Sequence, residues 1–197
     1  MQPLRADQTS AAAKSLTVAF WNDPLLEIVV APDENKRAAA GQWFFETAIK
    51  YGLRWGEPHA NDDASAVAVW FPPGQTQLSM VRMLRLGMWA MPFKVGLGGM
   101  SRFSKAMSVG EKFHHSVEGP HWYLMALGTR PEVQGTGMGS ALIEVGAAKA
   151  DAAGIPCYLE TATESNVAFY TKRGFEVVAE EDVLGFTFRG MVRKPVQ

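Results

Sequence analysis

The sequence predicts an α/β domain with one central sheet, and three observations carry this prediction. Two apolar runs have the length and composition of strands, Trp122–Leu127 and Pro156–Thr161. A long Ala-rich run separates them, and a shorter helical run follows the second. Strands that alternate with helical stretches are typical of α/β layers, in which helices cover a sheet.

Composition limits the classes of protein to which the chain can belong. Its 197 residues, of which 47% are hydrophobic and 20% charged, are ordinary for one globular domain over residues 1–197. The net charge of −1 argues against a nucleic-acid partner, which a protein binds by neutralising phosphates. The start of the chain lacks a basic and then apolar secretory pattern, so we expect a cytoplasmic protein with no membrane partner. Cys157 lies among apolar residues and is expected to be a buried core thiol.

The first part of the chain has the pattern of two helices and a hairpin. We expect helices from Asp7 to about Trp21 and from Asp33 to about Gly52, each beginning at an acidic residue. Strand-like runs over residues 53–59 and 64–71 flank a cluster of turn residues, which predicts a hairpin.

Residues 76–118 form an unusual segment, which we interpret as an extra helical insertion. Between Thr76 and Gly110 it contains six methionines and five basic residues but no Asp or Glu. Basic residues, glycines and a proline interrupt its apolar pattern too often for a membrane-spanning helix. Three interpretations stay open: a cover for the core, a lid over an apolar substrate, or a surface for a membrane or a second copy.

The most informative stretch lies between the two strand-like runs and reads Gln-Gly-Thr-Gly-Met-Gly-Ser over residues 134–140. A helix is predicted to begin near Gly137 and to end near Ala153. A glycine-rich turn at a helix start exposes backbone N–H groups, to which the helix dipole adds partial positive charge. Because glycine leaves room for a close ligand, this stretch predicts a site for a phosphate-bearing small molecule.

Three kinds of phosphate loop compete for this stretch. The nucleotide P-loop requires a Gly-Lys pair, which the sequence lacks. The dinucleotide-binding turn stays open, since Gly135 and Gly137 match it although Ser140 replaces its third glycine. The third pattern is Gln-x-x-Gly-x-Gly, which begins here at Gln134.

The third pattern resembles the acetyl-CoA loop of the GNAT superfamily of N-acetyltransferases, in which a strand and a proline precede the loop as Pro131 precedes Gln134. In that superfamily a second strand is followed by an Asn, an aromatic-Tyr pair and a Gly-Phe pair. The matching positions here are Asn166, Phe169, Tyr170, Gly174 and Phe175. The resemblance implies the GNAT fold, a mixed and mostly antiparallel sheet with two splayed parallel strands and helices on both faces.

The region from His121 to Lys194 is similar to the puromycin N-acetyltransferase branch of that superfamily. The similarity is carried by residues 122–124, 134–140, 159–161, 169–170, 174–175 and 191–195. Residues 19–24 and 66–70 fit the same branch, whereas little between Pro72 and Pro120 does. The branch implies an antibiotic-like or aminonucleoside-type amine as acceptor.

The resemblance further implies acetyl-CoA as cosubstrate and assigns residues to it. Backbone N–H groups of the loop would bind the pyrophosphate, and the end of the first strand would pair with the pantetheine amides. Asn166 would hydrogen-bond the pantetheine arm. The residues assigned to the cofactor are Leu127, Gly128, Thr129, Gln134, Gly135, Thr136, Gly137, Met138, Gly139, Ser140 and Asn166. No residue is assigned to a metal.

Two catalytic residues are predicted. By resemblance Tyr170 would protonate the departing thiolate, a role that suits a hydroxyl with a reference pKa of about 10. Glu160 lies on the strand beside the expected acetyl site and is the preferred base or ammonium-binding carboxylate. The alternatives are His121, Glu118 or a water chain as base, and Asp23 and Glu27 for contact with the acceptor.

The predicted function is therefore transfer of an acetyl group from acetyl-CoA to the primary amine of a small molecule, by direct attack on the thioester. Two alternatives stay open, a protein or peptide N-acetyltransferase and a non-catalytic acyl-CoA-binding regulatory module. The apolar insertion is also compatible with a homodimer.

Overall fold

The computed structural model describes residues 1–30 and 34–196, which contain seven strands and seven α-helices. The strands are β1 (Gln2–Pro3), β2 (Glu57–Ala60), β3 (Ala66–Phe71), β4 (Trp122–Thr129), β5 (Cys157–Thr161), β6 (Phe175–Val183) and β7 (Phe186–Arg193). The helices are α1 (Thr9–Ala19), α2 (Pro24–Val29), α3 (Glu34–Trp55), α4 (Met80–Arg85), α5 (Met91–His115), α6 (Met138–Ala153) and α7 (Glu164–Thr171).

All seven strands belong to one sheet with the order β1-β2-β3-β4-β5-β7-β6. Within the described residues β4 and β5 are parallel, and every other neighbouring pair is antiparallel. The predicted mixed, mostly antiparallel sheet with two parallel strands is therefore confirmed. The dinucleotide-binding alternative does not fit this sheet, because it requires a mostly parallel, doubly wound arrangement.

Strand β3 shows how the sequence supplies two faces of the sheet, since all six of its residues are buried. Alternation sends its two valines and Phe71 to the face covered by α1, α3 and α5, and its two alanines and Trp70 to the face covered by α6 and α7. The Trp70 indole N–H donates to the Leu142 carbonyl at 3.1 Å. A Cβ at Gly146 would lie 2.4 Å from the Trp70 ring, so α6 packs at a distance that only glycine allows. The prediction of helices on both faces is confirmed.

The predicted start of the first helix at Asp7 is wrong. Residues Ala6–Gln8 form a 3₁₀ turn and α1 begins at Thr9. The Asp7 carboxylate accepts a hydrogen bond from the exposed Arg5 side chain at 3.1 Å instead of capping a helix. An exposed pair of this kind is worth little, so the acidic residue signals the region of the helix start and not its first residue.

Helix α3 is longer than the sequence predicts. Its expected first residue, Asp33, lies outside the described residues, and the helix continues past Gly52 to Trp55. The Tyr51 and Trp55 rings pack with their centroids 4.7 Å apart, which stabilises this last turn. The first hairpin strand is therefore limited to β2, and β2 and β3 form the predicted hairpin.

The insertion predicted over residues 76–118 is helical and consists of α4, a 3₁₀ turn and α5. Helix α5 is interrupted at Gly96, whose φ of 72° and ψ of 168° are not helical. Beyond this break a Cβ at Gly99 would lie 2.2 Å from the Val29 carbonyl, so α5 contacts the end of α2 closely. A small core joins the insertion to α2 and α3; it contains Leu26, Val29, Val30, Ala40, Met88 and Met91. No helix among the described residues is long and apolar enough to cross a membrane.

Candidate active site

Strands β4 and β5 separate where the site begins. They pair only through residues 122–124 and 157–159, whereas β4 continues to Thr129. The register between β3 and β4 slips by one residue at Met125, which bulges and bends the strand. In the described part of the chain, the backbone groups of residues 125–129 that face β5 have no strand partner. A gap of this kind can accept an extended ligand that hydrogen-bonds as a strand does.

The loop after β4 presents free backbone donors at the start of α6. Among the described residues, the N–H groups from Gly135 to Ser140 have no hydrogen-bond partner, and the first bonded N–H is that of Ala141, 3.0 Å from the Gly137 carbonyl. Gly137 is the N-cap and has no side-chain cap. Free N–H groups and the dipole of a 16-residue helix together form an anion site.

Glycines in and near the loop are required for different reasons. Gly135 and Gly137 have φ of 76° and 87°, and a Cβ at either would meet nothing within 4 Å. Their backbone conformation requires glycine, and the space before them is open. Gly139 is a packing residue, because a Cβ there would lie 3.1 Å from the Phe169 ring. Gly128 also serves packing, since its Cβ would lie 2.8 Å from a side-chain atom of α1.

The polar side chains of the loop bond to the protein itself. The Gln134 amide donates to the Thr129 carbonyl at 3.2 Å, and the Thr136 hydroxyl donates to the Val133 carbonyl at 2.7 Å. Ser140 accepts from Arg173. These side chains therefore fix the shape of the loop, and its capacity to bind an anion resides in the backbone. Leu127 and Met138, also predicted to bind the cofactor, are half-buried at the two ends of the same loop region.

Arg173 is a site residue that the sequence did not reveal. Its Nε donates to Ser140 Oγ at 3.1 Å, and its guanidinium lies 3.5 Å from the centroid of the Phe169 ring. The sequence indicated only a basic residue at the end of α7. In the structure it places a cation beside the first turn of α6. Because the contact spans 33 residues, no local pattern could signal it.

Helix α7 places two predicted residues toward the gap. The helix is capped by Thr163 and not by Ser165 or Asn166, since the Thr163 hydroxyl accepts the Asn166 N–H at 3.3 Å. The Asn166 side chain is therefore not needed as a cap and lines the cavity described below. Tyr170, one turn later, lines it too.

Tyr170 is held by aromatic neighbours. Its ring packs edge-on against Phe169 and Phe175, with centroids 5.3 Å and 5.7 Å away. Burial raises the pKa of the Tyr170 hydroxyl, and the nearby Asp23 carboxylate raises it further. The hydroxyl has no hydrogen-bond partner within residues 1–30 and 34–196, so it stays protonated and able to donate.

The Glu160 side chain extends from β5 on the face of the sheet that α6 does not cover, and it is largely buried there. The Tyr123 hydroxyl donates to Glu160 Oε2 at 2.8 Å. Burial raises the pKa of the Glu160 carboxyl to about 7, although the Tyr123 hydrogen bond lowers it in part. A carboxyl with a pKa near neutrality suits a general base at physiological pH.

Two histidines extend from Glu160 toward the surface, and their hydrogen bonds fix their tautomers. His121 Nδ1 lies 3.0 Å from the Gly119 carbonyl and must carry the proton, so its Nε2 accepts from His114 Nε2 at 2.9 Å. His114 Nδ1 is then an acceptor, and it lies 4.0 Å from Glu160 Oε1. Burial, with the positive charge of neighbouring histidines, lowers the pKa of His114 to about 4, which keeps it neutral.

A cavity of about 190 Å³ is lined by three of the predicted site residues, Glu160, Tyr170 and Asn166. Its polar end carries Glu160, Tyr170 and Asn166 beside the separated part of β4. The remaining wall is almost entirely apolar and comes from α2, α3 and the insertion; it includes Phe20, Trp43, Phe44, Met83, Met88, Met91, Phe103 and Met107. The insertion thus encloses one side of the candidate active site.

The other sequence candidates have separate positions. Asp23 lines the cavity, caps α2 through the Leu25 N–H at 2.9 Å, and has a pKa raised by burial. Glu27 lies 3.6 Å from the Arg37 guanidinium and does not line the cavity, and Glu118 is exposed. Cys157 is buried, with burial raising the pKa of its thiol to about 12, as expected for a core cysteine.

The class of protein follows from this region of the chain. Residues 99–177 match the family model of the acetyltransferase (GNAT) domain, and this range contains the separated strands, the glycine loop and Tyr170. This part of the chain is therefore similar to a GNAT acetyltransferase domain, and the protein is an N-acetyltransferase.

Known relatives agree with this class. An uncharacterized N-acetyltransferase of Schizosaccharomyces pombe is 27% identical over 183 residues, covering 87% of this chain and 72% of that protein. A Corynebacterium glutamicum structure described as histone acetyltransferase HPA2 and related acetyltransferase has a TM-score of 0.68 at 24% identity, covering 99% of this chain and 95% of that chain. A polyamine N-acetyltransferase of Drosophila melanogaster has a TM-score of 0.64 at 15% identity, with 98% of each chain covered. The two structures share the GNAT fold with this protein.

Proposed function

We propose that the enzyme transfers the acetyl group of acetyl-CoA to the primary amine of a compact small molecule with an apolar body. The observation that carries this proposal is the cavity, which brings Glu160 and Tyr170 together at the separated strands and encloses them with apolar side chains. GNAT enzymes generally use acetyl-CoA, and the residues present fit it. When bound, acetyl-CoA supplies an activated acetyl group in the form of a thioester.

The phosphates of the cofactor fit the loop before α6. The free N–H groups of residues 135–140 face open space at Gly135 and Gly137, where phosphate oxygens can approach. Arg173 adds a full positive charge beside this turn and would strengthen binding of a phosphate through charge-assisted hydrogen bonds.

The pantetheine arm fits the gap between β4 and β5. Its two amides would bond to the unpaired backbone edge of residues 125–129, in the manner of an added strand. The Asn166 side chain, released from capping by Thr163, would hold the same arm from α7. The reactive end of the arm would then lie near Glu160 and Tyr170.

The acceptor would occupy the apolar part of the cavity. A volume of about 190 Å³ admits a small molecule or one side chain and not a folded surface. Its described lining contains two carboxylates, Asp23 and Glu160, and neither Lys nor Arg. This charge pattern favours a cationic amine, and the aromatic and methionine wall favours an apolar body.

Glu160 would remove the proton from the substrate ammonium. Its raised pKa leaves a large fraction ionised at neutral pH while keeping it basic enough to accept a proton. His114 Nδ1 is the nearest neutral acceptor and, through His121, leads to the exposed Gly119. The 4.0 Å between Glu160 and His114 exceeds a hydrogen bond, so transfer along this path requires the two groups to approach or a water to bridge them.

Tyr170 would protonate the sulfur of the departing CoA. Its hydroxyl is protonated throughout the neutral range, and no described residue competes for its proton. The thiol of CoA has a pKa comparable to that of cysteine, about 8.5, so the proton assists departure without being indispensable.

Two alternatives make different predictions. A peptide acetyltransferase would have to place an extended chain in the same apolar cavity, and a regulatory module would bind acetyl-CoA without turnover. The branch similarity points to an antibiotic-like amine, which we include as the more specific form of the proposal.

The test is release of free CoA thiol from acetyl-CoA against a panel of amines. The panel contains phenylalkylamines, puromycin, a polyamine, an aminoglycoside, amino acids and short peptides, with a blank without amine. We expect release above the blank with apolar monoamines. Release with peptides alone would support the peptide alternative, and acetyl-CoA binding without any release would support the regulatory module.

A further inference from the structure

Residues 80–97 of the insertion carry apolar side chains on both sides. Met83, Met88, Met91 and Val95 face inward and line the cavity. The outward side carries Met80, Val81, Leu84, Trp89, Phe93 and Leu97, which are 42% to 84% exposed. We call this outward set the outer patch. A helical segment that is apolar all round is normally buried, so the outer patch indicates a partner.

The outer patch is unusual for this molecule. Twelve large hydrophobic residues are exposed in the described part of the chain, and six of them lie in these eighteen positions. Phe93 is 84% and Trp89 65% exposed, although aromatic side chains gain more than most from burial. Single exposed apolar residues need no explanation, whereas six within one short segment, two of them aromatic, do.

The charged residues of this segment indicate the chemistry of the partner. Residues 64–110 contain none of the chain's 20 Asp and Glu but include five of its 19 Lys and Arg: Arg82, Arg85, Lys94, Arg102 and Lys105. Arg85, Lys94 and Lys105 are exposed and have no ion-pair partner within the described residues. Phe93 and Lys94 are exposed before the break at Gly96, and Leu97 and Lys105 are exposed after it. The outer patch is therefore apolar and aromatic, and every charged residue of the segment that carries it is a cation.

These features disfavour a second copy of the chain as the partner. In a two-fold dimer the same patch is contributed by both subunits, so the cations of this segment in one copy would approach those of the other, and residues 64–110 supply no carboxylate to pair with them. The charges of the segment therefore favour an anionic partner. Aromatic and aliphatic side chains bordered by Lys and Arg are the composition of helices that lie in the interface of an anionic bilayer.

We infer that the outer patch docks the enzyme on the surface of an anionic phospholipid membrane, with Trp89, Phe93 and Leu97 inserted at the acyl boundary and Arg85, Lys94 and Lys105 at the headgroups. This differs from the sequence-based expectation of no membrane partner. It concerns peripheral binding and is independent of the absence of a membrane-spanning helix from the described residues.

The experiment is flotation of the purified full chain with vesicles of phosphatidylcholine alone and of equal parts phosphatidylcholine and phosphatidylglycerol. We expect binding to the anionic vesicles only, and weakening of that binding as salt screens the cations. The double variant Trp89→Ser and Phe93→Ser should lower vesicle affinity at least about tenfold, because two inserted aromatic side chains are lost. Reversing Lys94 and Lys105 to Glu should have a similar effect.

A matched control is Val177→Ser with Val178→Ser, which removes exposed apolar residues from β6, outside the outer patch. It should leave vesicle binding unchanged. Trp89 and Phe93 do not line the cavity, so the double variant should keep its turnover of a soluble amine, which shows that it is folded. Absence of binding to anionic vesicles, or equal binding by the wild type and the Trp89/Phe93 variant, overturns the inference. Self-association abolished by the same variant would identify a second copy as the partner instead and would also overturn it.

Discussion

The proposed acetyl-CoA side of the site consists of backbone groups, whereas the proposed amine side consists of side chains. On the acetyl-CoA side the binding groups are backbone N–H groups of residues 135–140 and the open edge of β4. On the proposed amine side they are side chains, namely Glu160, Asp23 and the apolar wall of the cavity. A backbone site requires glycines at fixed spacing and therefore leaves a local pattern. A side-chain cavity is assembled from distant elements, and many sequences can form one.

The two sides also differ electrostatically. The loop offers partial positive charge to an anion, whereas the described cavity lining holds two carboxylates and no basic residue. Substitutions on the two sides should therefore affect different kinetic constants, and each prediction below checks that separation.

The largest expected effect is that of Glu160→Gln on turnover. Loss of a general base lowers kcat by about 10² to 10⁴. In the wild type kcat should rise with pH to a plateau above about 7, where Glu160 is ionised, and this rise should disappear in the variant. The measurement is kcat against pH at saturating acetyl-CoA, with the exposed Glu176→Gln as control. A variant that kept the same rising limb would assign the base to another group.

The same substitution should stabilise the protein at alkaline pH. The folded pKa of Glu160 lies above its unfolded value, so its stabilising contribution is full below about 4.5 and is lost as pH rises through about 7. At pH above 7 the variant should exceed the wild type in free energy of unfolding by at most about 3 kcal/mol, and at acidic pH the two should agree. Urea unfolding at both pH values checks this. Equal stability at alkaline pH would mean that Glu160 is better solvated than its burial implies.

Gly137→Val tests the acetyl-CoA side. The side chain would block the phosphate position, and loss of two hydrogen bonds to a charged group corresponds to on the order of 100-fold in affinity. Gly154→Ala is the control, because Gly154 also has positive φ and open space but lies at the opposite end of α6. Calorimetric titration with acetyl-CoA should show weakened binding in the first variant only. Similar losses in both would indicate an effect of backbone strain.

Tyr170→Phe should lower kcat about tenfold and change KM for acetyl-CoA much less, since the hydroxyl acts on the departing sulfur and the ring packing is kept. A thiolate departs fairly easily without a proton, which keeps this effect below that of Glu160. Steady-state kinetics with both substrates varied decides the matter, and an unchanged kcat would remove Tyr170 from the acid role.

The smallest effect is expected from Met83→Ala on the amine side. Loss of apolar contact worth about 1 kcal/mol should raise KM for an apolar amine about fivefold without altering KM for acetyl-CoA. Met80→Ala is a matched control, since Met80 lies one turn earlier in the same helix and is 64% exposed. Equal behaviour of the two variants would place the acceptor elsewhere.

The same contrast explains how far the sequence could predict the structure. The loop at Gly137 and the helix that carries Tyr170 follow from short motifs and turn residues, and the mixed sheet with the separated β4 and β5 follows from the family resemblance that those motifs carry. The surroundings of Glu160 do not, because its Tyr123 contact spans 37 residues. The Arg173–Ser140 contact likewise joins two elements, and the sequence indicated only a helix end. The cap at Thr163 could not be predicted from the sequence, because Ser165 and Asn166 are also residue types that favour this position.

The break at Gly96 divides α5 into two helical parts that contact different regions of the site. The piece before it supplies Met91 and Val95 to the cavity wall, and the piece after it carries His114 to Glu160. A non-helical residue between them interrupts the rigid coupling that a continuous helix would impose. Substitutions in residues 80–95 can therefore alter the cavity wall while the contact between His114 and Glu160 keeps its position.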